Sequence, residues 1–271
     1  MSIIQQADGH DIRFDLNVAE HPKGIVLFIH GYKGFKDWGP WHLVSDAFAK
    51  AGLSFLKFNF SHNGTTATQP TEFADPEAFG RNTYSRELQE TKAVIDYAAV
   101  QYPGLPIYLV GHSRGGGISI LTASDDVRVA AVASWAAVSS FHSRVPLGRE
   151  LEQFKEDGVV HVTNSRTGQQ LPHYWSFYQD TVENHERLDI ARAARSMNKP
   201  WLLVHGTGDE AVSVIEAENL AVYQPAARLT LVSDTGHTFG GSHPWEHETL
   251  PADLEMVVNA TVDFFLTEAK A

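Results

Sequence analysis

The chain has 271 residues, of which 43% are hydrophobic and 20% charged, and 33 acidic against 21 basic residues give it a formal net charge of −12. This acidic balance without a basic cluster argues against nucleic-acid binding, and the absence of cysteine excludes disulfides, thiolate metal sites and cysteine nucleophiles. The composition is typical of a globular protein, and we expect one domain over residues 1–271.

Neither a targeting segment nor a membrane span is predicted. Residues Met1–Asp8 lack the basic and apolar regions of a signal peptide. No apolar run approaches the ~18–20 residues that a membrane-spanning helix requires. We therefore expect a cytoplasmic protein that does not bind membranes, and the composition leaves its oligomeric state open.

Strand-like and helix-like segments alternate along the chain, which favours an α/β protein with a mostly parallel sheet covered by helices. Ile12–Val18 alternates apolar and polar residues, as an antiparallel strand exposed at the edge of the sheet would. The other predicted strands are Gly24–His30, Leu53–Phe60, Leu105–Val110, Val127–Ala136, Pro200–His205 and Arg228–Val232. The predicted helices are Trp38–Ala51, Tyr84–Tyr102, Gly116–Ala123, Val214–Tyr223 and Ala252–Ala269.

Residues from about 141 to 185 interrupt this alternation. Pro146–Asp157 predicts a helix, Val159–Gln170 predicts a hairpin, and Leu171–Val182 is rich in aromatic residues. We expect an insertion here, emerging from the carboxyl end of the preceding strand. In open parallel sheets that edge is where ligands bind.

Residues 111–115 form a G-x-S-x-G motif that places Ser113 between a predicted strand and a predicted helix. A serine at such a junction lies on a sharp, strained turn, and glycines allow the neighbouring backbone to approach closely. Its hydroxyl then projects from the carboxyl edge of the sheet, beside a helix N-terminus that favours negative charge. Because the motif is short enough to occur by chance, its function depends on partner residues elsewhere.

A serine nucleophile needs a base, usually histidine, that is oriented by a carboxylate. Asp209 follows the predicted strand that ends at His205, and His237 follows the strand that ends at Val232. Both residues are therefore expected at the same edge of the sheet as Ser113.

Two other carboxylates could orient the base. Glu210 adjoins Asp209, but the G-x-x-D turn favours the aspartate. Asp234 lies only three residues before His237, too close along the same loop to be the better partner.

Two other histidines could supply the base. His243 and His247 follow on the same segment, but the turn Gly236-His237 directly after a strand favours His237. The spacing of these three histidines fits no zinc signature, and no local cysteine or paired carboxylate supports a metal site. We expect neither a metal ion nor a cofactor.

The transition state also needs backbone donors for an oxyanion. One is expected from the Arg114 N–H, directly after the nucleophile. The second is expected from the loop after the strand that ends at His30, and we assign it to the Tyr32 N–H, with Lys33 as the alternative. His30 itself is interpreted as a side chain that braces this turn.

These segments resemble those of α/β-hydrolase-fold serine hydrolases, in which the triad also follows the chain order serine, aspartate, histidine. The resemblance covers nearly the whole chain outside the insertion and rests on His30–Gly34, Gly111–Gly115, Asp209 in its G-x-x-D turn and His237 in Gly-His-Thr-Phe. It implies a mostly parallel central sheet flanked by helices, with the insertion as a small cap over the active site. Compact caps that contain a hairpin are similar to those of bacterial feruloyl and cinnamoyl esterases.

The expected activity is hydrolysis of a small or medium carboxylic ester through an acyl-enzyme intermediate, with a small-molecule ester as the partner. A serine peptidase or amidase of dipeptidyl-peptidase style is the alternative enzyme. A non-catalytic ligand receptor on the same fold is disfavoured, because such receptors usually lose part of the triad.

The aromatic part of the insertion is the expected substrate pocket. Tyr174, Trp175 and Tyr178, together with Phe177, offer rings suited to an aromatic or acyl group. Three arginines in or near the insertion could meet a carboxylate, although solvated surface positions are more usual for that residue type: Arg144, Arg149 and Arg166.

Overall fold

The computed structural model describes residues 2–6 and 9–267. The strands within them are β1 (Ser2–Ile4), β2 (Ile12–Asn17), β3 (Gly24–Ile29), β4 (Leu53–Asn59), β5 (Ile107–His112), β6 (Val129–Trp135), β7 (Val159–Thr163), β8 (Gln170–Tyr174), β9 (Trp201–Gly206) and β10 (Arg228–Val232). The helices are α1 (Trp41–Lys50), α2 (Pro76–Arg81), α3 (Tyr84–Gln101), α4 (Arg114–Asp125), α5 (Gly148–Asp157), α6 (Trp175–Glu183), α7 (Ile190–Ser196), α8 (Val214–Tyr223) and α9 (Ala252–Thr267).

Eight of these strands form one sheet in the order β1-β2-β4-β3-β5-β6-β9-β10. The pairs β1/β2 and β2/β4 are antiparallel, and all other neighbours are parallel, which confirms the mostly parallel sheet. The edge position predicted for Ile12–Val18 is wrong, because β1 pairs outside β2, with Ile3 opposite Arg13. A three-residue strand is too short to leave a periodic signal in the sequence.

Strands β3 and β4 are buried along their whole length, as parallel strands with helices on both faces should be. Successive side chains of β3 point to opposite faces. Ile25 and Leu27 join the apolar cluster that contains residues of α3 and α4, whereas Val26 and Phe28 join the cluster that contains residues of α1 and α9. The sheet therefore lies between two helical layers.

The bounds of α8 and β10 agree with those predicted from the sequence. Helix α4 begins at Arg114, two residues before its predicted start, and the predicted end of the last helix at Ala269 lies outside the described residues. Helices α2 and α7 were not predicted, because each is shorter than two turns. Each is preceded by an aspartate whose side chain accepts a hydrogen bond from a backbone N–H of the first turn, Asp75 for α2 and Asp189 for α7.

The insertion (residues 141–185) lies between β6 and the short helix α7. It contains a 3₁₀ turn at His142–Arg144, helix α5, the antiparallel hairpin β7/β8 and helix α6. The hairpin is longer than predicted, since Val159 pairs with Tyr174 at its open end. The organisation as a single domain with this segment as a cap stays a prediction.

No helix within the described residues is long and apolar enough to cross a membrane. The cytoplasmic location also stays a prediction.

A buried carboxyl group joins helix α3 to the loop after β4. Glu90 is 2% exposed and accepts hydrogen bonds from the Ser61 N–H, at 2.8 Å, and from the Ser61 hydroxyl. The Arg86 guanidinium lies 3.7 Å from the same carboxyl. Burial raises the pKa of Glu90 to about 7, although the hydrogen bonds from Ser61 and the charge of Arg86 act to lower it. The folded protein therefore binds this proton more tightly than the unfolded chain does.

We expect the substitution Glu90→Gln to change the pH dependence of stability. The stabilising contribution of Glu90 is complete below its ordinary pKa of 4.5 and is lost as the pH rises through about 7. Over this range the wild type should lose roughly 3 kcal/mol of unfolding free energy relative to the variant. Urea unfolding of both proteins from about pH 4.5 to about pH 8 measures the difference.

The matched control is Glu255→Gln at an exposed position of α9, which should give a pH profile parallel to that of the wild type. If the Glu90→Gln profile were also parallel, the pKa of Glu90 would not be raised by folding.

Candidate active site

Ser113 lies at the junction of β5 and α4, with no residue between it and either element. Its backbone is in the left-handed region, with φ +58° and ψ −118°, which is costly for a residue with a Cβ. The Ser113 N–H donates a hydrogen bond to the Trp135 carbonyl at 2.9 Å, at the end of β6. The sequence motif therefore forms the sharp strand-to-helix turn that its glycines predicted.

Two glycines allow the neighbouring backbone to approach this turn. A Cβ at Gly115 would collide with the carbonyl oxygen of Ile29, so α4 can cross the end of β3 only with glycine there. A Cβ at Gly31 would lie 2.9 Å from the Ser113 Cβ. The loop after β3 therefore lies directly against the Ser113 turn.

Asp209 and His237 are joined by a hydrogen bond of 2.8 Å between Asp209 Oδ2 and His237 Nδ1. The other carboxylate oxygen of Asp209 accepts hydrogen bonds from the N–H groups of Ala211 and Val212, each at 2.9 Å. The Asp209 side chain is fully buried, whereas 23% of the His237 side chain is exposed. The carboxylate is therefore held in place while the imidazole remains accessible.

The environment of Asp209 keeps its carboxyl ionised. Burial opposes ionisation, but the hydrogen bonds from His205, His237 and the Val212 N–H outweigh burial and hold the pKa of Asp209 below its usual value. His205 Nε2 lies 3.3 Å from Asp209 Oδ2 and 2.8 Å from the Val212 carbonyl. Because an ionised carboxylate can only accept, the proton of the neutral imidazole lies on His237 Nδ1, and Nε2 is left as a base.

The two alternative carboxylates, Glu210 and Asp234, do not make the hydrogen bond to the imidazole that Asp209 makes. Glu210 is exposed, and neither it nor Asp234 is hydrogen-bonded to His237. The backbone N–H of Asp234 donates a hydrogen bond to the Thr207 hydroxyl at 2.9 Å.

The alternative histidines have other contacts. His243 Nδ1 accepts a hydrogen bond from the Gly39 N–H at 2.8 Å, and His247 is exposed with its ring against Trp245. In the described part of the chain, no group of three or more histidine, cysteine, aspartate or glutamate side chains is arranged to hold a metal ion. Of these histidines, His237 is the one that the structure pairs with a carboxylate.

A cavity of about 1370 Å³ opens over Ser113. Ser113 and His237 both line it, without a hydrogen bond between them among the described contacts. Such bonds are often long in the free state of an enzyme and shorten when substrate binds. Residues of α5, the β7/β8 hairpin and α6 form part of the wall.

The two predicted oxyanion donors flank Ser113. Tyr32 and Arg114 line the cavity, and neither backbone N–H donates a hydrogen bond to another described residue. Lys33 also lines the cavity, with φ +53°, and remains the alternative donor.

A hydrogen bond ties Tyr32, in the loop after β3, to the insertion. The Tyr32 hydroxyl lies 2.7 Å from His173 Nε2. Burial lowers the pKa of His173 to about 3 and raises the pKa of Tyr32 to about 12, so both groups are neutral near pH 7. Sequence reasoning missed His173, because nothing local distinguishes it from a packing residue of a strand.

His112 supports the loop of His237 in a similar way. Its Nε2 lies 2.8 Å from the backbone carbonyl of His237, and burial next to His237 lowers the pKa of His112 to about 3. The neutral ring therefore donates its Nε2 proton to that carbonyl and holds the loop that carries His237.

The rings expected to form the substrate pocket lie elsewhere. Tyr174, Trp175 and Tyr178 are not among the residues that line the cavity, whereas Phe177 is. This corrects the expectation for those three residues.

The reason is the rotation of α6 about its axis. Phe177 and Thr181, one turn apart, are buried on its inner face. Trp175 stacks on Tyr178 at 4.6 Å between ring centroids, one turn apart on another face, and meets Phe154 edge-on at 5.3 Å.

Tyr174 precedes α6 and is also directed away from the cavity. Its hydroxyl donates a hydrogen bond to the Glu77 carboxylate of α2. The inner wall is instead supplied by Phe177, with Tyr84 and Phe141 beside it.

The amino-acid sequence matches known proteins over most of its length. The sequence profile of the alpha/beta hydrolase family matches residues 26–247. The monoacylglycerol lipase of Mycolicibacterium smegmatis is 25% identical over 225 residues, which cover 71% of this chain and 72% of the lipase. The profile match includes every candidate residue from Tyr32 to His237.

Solved structures share the fold. Est1E from Butyrivibrio proteoclasticus, with bound ferulic acid, has a TM-score of 0.73 and 19% identity, with 98% of both chains covered. The monoacylglycerol lipase of Paleococcus ferrophilus has a TM-score of 0.69 and 14% identity, covering 94% of this chain and 98% of its own. The fold is the α/β-hydrolase fold, with a mostly parallel central sheet flanked by helices.

The close approach at Gly115 predicts a severe effect of Gly115→Ala. The new Cβ would collide with backbone of β3, which cannot move without displacing the sheet. We expect insoluble protein or a melting temperature lower by at least roughly 10 °C, measured by differential scanning calorimetry.

The control Gly148→Ala introduces strain without a collision, because Gly148 has φ +57° and no atom near its Cβ position. Its melting temperature should fall by only a few degrees. Equal stability of the two variants would contradict the close approach of α4 to β3.

Proposed function

The chain belongs to the alpha/beta hydrolase family, and we propose that it is a serine hydrolase that cleaves a small or medium carboxylic ester through an acyl-enzyme intermediate. The observation that carries the proposal is the Asp209–His237 hydrogen bond of 2.8 Å beside the strained Ser113 turn. The name of the curated relative, a monoacylglycerol lipase, supports an ester rather than an amide as substrate.

In the first step the substrate carbonyl lies over Ser113, with its oxygen toward the Tyr32 and Arg114 N–H groups. His237 Nε2 takes the hydroxyl proton as Ser113 Oγ attacks the carbonyl carbon. The two N–H groups stabilise the oxyanion, and ionised Asp209 stabilises the imidazolium without taking its proton.

In the second step His237 returns that proton to the leaving alcohol, and the acyl group remains on Ser113. A water molecule then attacks the acyl carbon and gives a proton to His237 Nε2. Collapse of the second tetrahedral intermediate releases the carboxylic acid and restores the Ser113 hydroxyl. His112 and His173 touch no reacting atom, and we assign them positioning roles at the base and at the oxyanion loop.

The peptidase alternative is less well supported by the cavity. A dipeptidyl-peptidase type of site needs carboxylates to bind the substrate amine. Among the described residues that line the cavity, Glu150 is the only acidic one, and it is exposed at the rim. The receptor alternative is disfavoured because nucleophile, base, orienting carboxylate and both N–H donors are present together.

The proposed mechanism predicts that Ser113 and His237 act as one unit. Ser113→Ala should lower kcat by roughly 10⁴- to 10⁶-fold, and adding His237→Ala should cost little more. Ester hydrolysis and fluorophosphonate labelling measure the loss, with thermal melts to show that the variants fold.

His243→Gln is the control, because His243 lines the same cavity but braces Gly39 instead of pairing with a carboxylate. It should keep near-normal kcat. Independent, multiplicative losses in the Ser113/His237 double variant, or inactivity of His243→Gln equal to that of His237→Gln, would contradict the assigned roles.

The cavity also predicts which ring of the insertion contacts substrate. Phe177→Ala should raise KM for a bulky aryl ester much more than for a small acetate ester, by an amount equivalent to ~1–3 kcal/mol, because Phe177 lines the cavity. Trp175→Ala should lower the melting temperature and change kcat/KM for both esters alike, because Trp175 packs on Phe154 and Tyr178. A selective loss of the bulky ester in Trp175→Ala would show that this ring reaches the substrate.

A further inference from the structure

The side chain of Arg114 is enclosed by aromatic rings at the cavity wall. It is 12% exposed, and its guanidinium carbon lies 4.1 Å from the ring centroid of Tyr32, 5.1 Å from that of Tyr84 and 5.7 Å from that of Phe177. The backbone of Arg114 is already assigned to the oxyanion, but that role leaves the guanidinium unexplained.

The guanidinium has two hydrogen-bond partners among the described residues, the Glu87 carboxylate and the Tyr84 hydroxyl. One Nη donates to Glu87 Oε1 at 3.3 Å, longer than the about 2.7–2.9 Å typical of a charge-assisted bond. Arg114 has five N–H donors. In the described structure, each of its side-chain nitrogens is either hydrogen-bonded or accessible to solvent. Donors beyond these two bonds remain on a side chain that is 12% exposed and lines the cavity.

Glu87 neutralises this cation only in part. Its side chain is 3% exposed, and burial raises the pKa of its carboxyl, although Arg114 and Asn82 favour the charged form. The oxygen that bonds Arg114 also accepts a hydrogen bond from Asn82 Nδ2 at 2.7 Å. A positive charge therefore remains at the wall next to Ser113.

The rest of the lining adds to this charge. Among the described lining residues, five are cationic and one is a carboxylate, although the whole chain carries a net charge of −12. Arg144 and Arg166 are paired with glutamates outside the cavity, whereas Lys33 donates to the Thr163 carbonyl and Arg149 has no ion-pair partner in the described structure. A positive cavity in an acidic protein attracts anions.

We propose that the cavity binds an ester that carries an ionised carboxylate, and that the Arg114 guanidinium receives this carboxylate. The inference rests on the proposed function, because the ester must lie over Ser113 for the second group to reach the next residue. A planar guanidinium with free N–H groups binds a carboxylate with two parallel hydrogen bonds. The carboxylate lies on either the acyl or the alcohol side of the ester bond, and the experiment separates the two.

The test compares each charged ester with its neutral carboxamide of the same size. Monoethyl adipate against ethyl adipamate tests the acyl side, and butyryl glycolate against butyryl glycolamide tests the alcohol side. Hydrolysis is followed by release of the alcohol product. We expect wild-type kcat/KM to favour the carboxylate by at least roughly tenfold in one of the pairs.

For each variant we measure the ratio of kcat/KM for the carboxylate ester to kcat/KM for its carboxamide. Changes that affect both substrates equally cancel in this ratio. Arg114→Gln should reduce the ratio to about one, and Arg114→Lys should give an intermediate value, because lysine keeps the charge without the planar fork. Glu87→Gln should increase the ratio, because it removes the competing carboxylate. A merely structural Arg114–Glu87 pair would instead lower the melting temperature of all three variants and leave the ratio unchanged.

Arg149→Gln is the matched control for long-range charge, since Arg149 lines the cavity but is exposed. Its effect should be largely screened at about 0.5 M salt, whereas the effect of Arg114→Gln should persist. Loss of the ratio in Arg149→Gln at high salt, with Arg114→Gln unaffected, would overturn the assignment of the carboxylate to Arg114.

Binding separates this inference from the proposed function. Calorimetric titration of Ser113→Ala with both members of each pair needs no turnover, and the carboxylate should bind at least roughly tenfold more tightly. Wild type that hydrolyses both members equally, through Ser113, would refute the inference and leave the proposed function standing. Carboxylate-selective binding without hydrolysis or fluorophosphonate labelling would refute the proposed function and leave the anion site standing.

Discussion

The parallel pairing of the strands is the constraint on which the candidate site depends, because their carboxyl ends meet at one edge of the sheet. Tyr32 follows β3, Ser113 follows β5, Asp209 follows β9 and His237 follows β10. Each turn carries one residue of the candidate site. Residues far apart in the sequence therefore come together because their strands are paired, and no contact between the residues themselves is needed to place them. A one-residue slip in register would reverse the side-chain faces and separate them.

Buried histidines hold the loops of this edge in place. His112 fixes the carbonyl of His237, His205 fixes the turn that carries Asp209, and His173 fixes the Tyr32 side chain. Burial keeps the pKa values of His112 and His173 near 3, so these rings add no charge close to Ser113 at neutral pH. Near Ser113, the Asp209 carboxylate and the Arg114 guanidinium therefore carry charge, whereas these two rings do not.

The insertion contributes to the site through a few inward-facing groups. Phe177 supplies an apolar wall, and His173 bonds the Tyr32 hydroxyl in the loop after β3. The neighbouring rings of Tyr174, Trp175 and Tyr178 serve packing, since they contact α2, α5 or one another. Cavity lining and packing are thus divided between adjacent positions of one segment.

The sequence by itself determined the components whose signals are local: the turn around Ser113, the placement of Asp209 and His237 after strands, and the bounds of α8 and β10. Only the tertiary structure decided what depends on packing. It added β1 outside β2, because three residues leave no periodic signal, and it selected Phe177 over the neighbouring rings, because contacts with other elements fix the rotation of α6. It also placed the Arg114 guanidinium between aromatic rings at the cavity wall, since partners are defined only once the chain is folded.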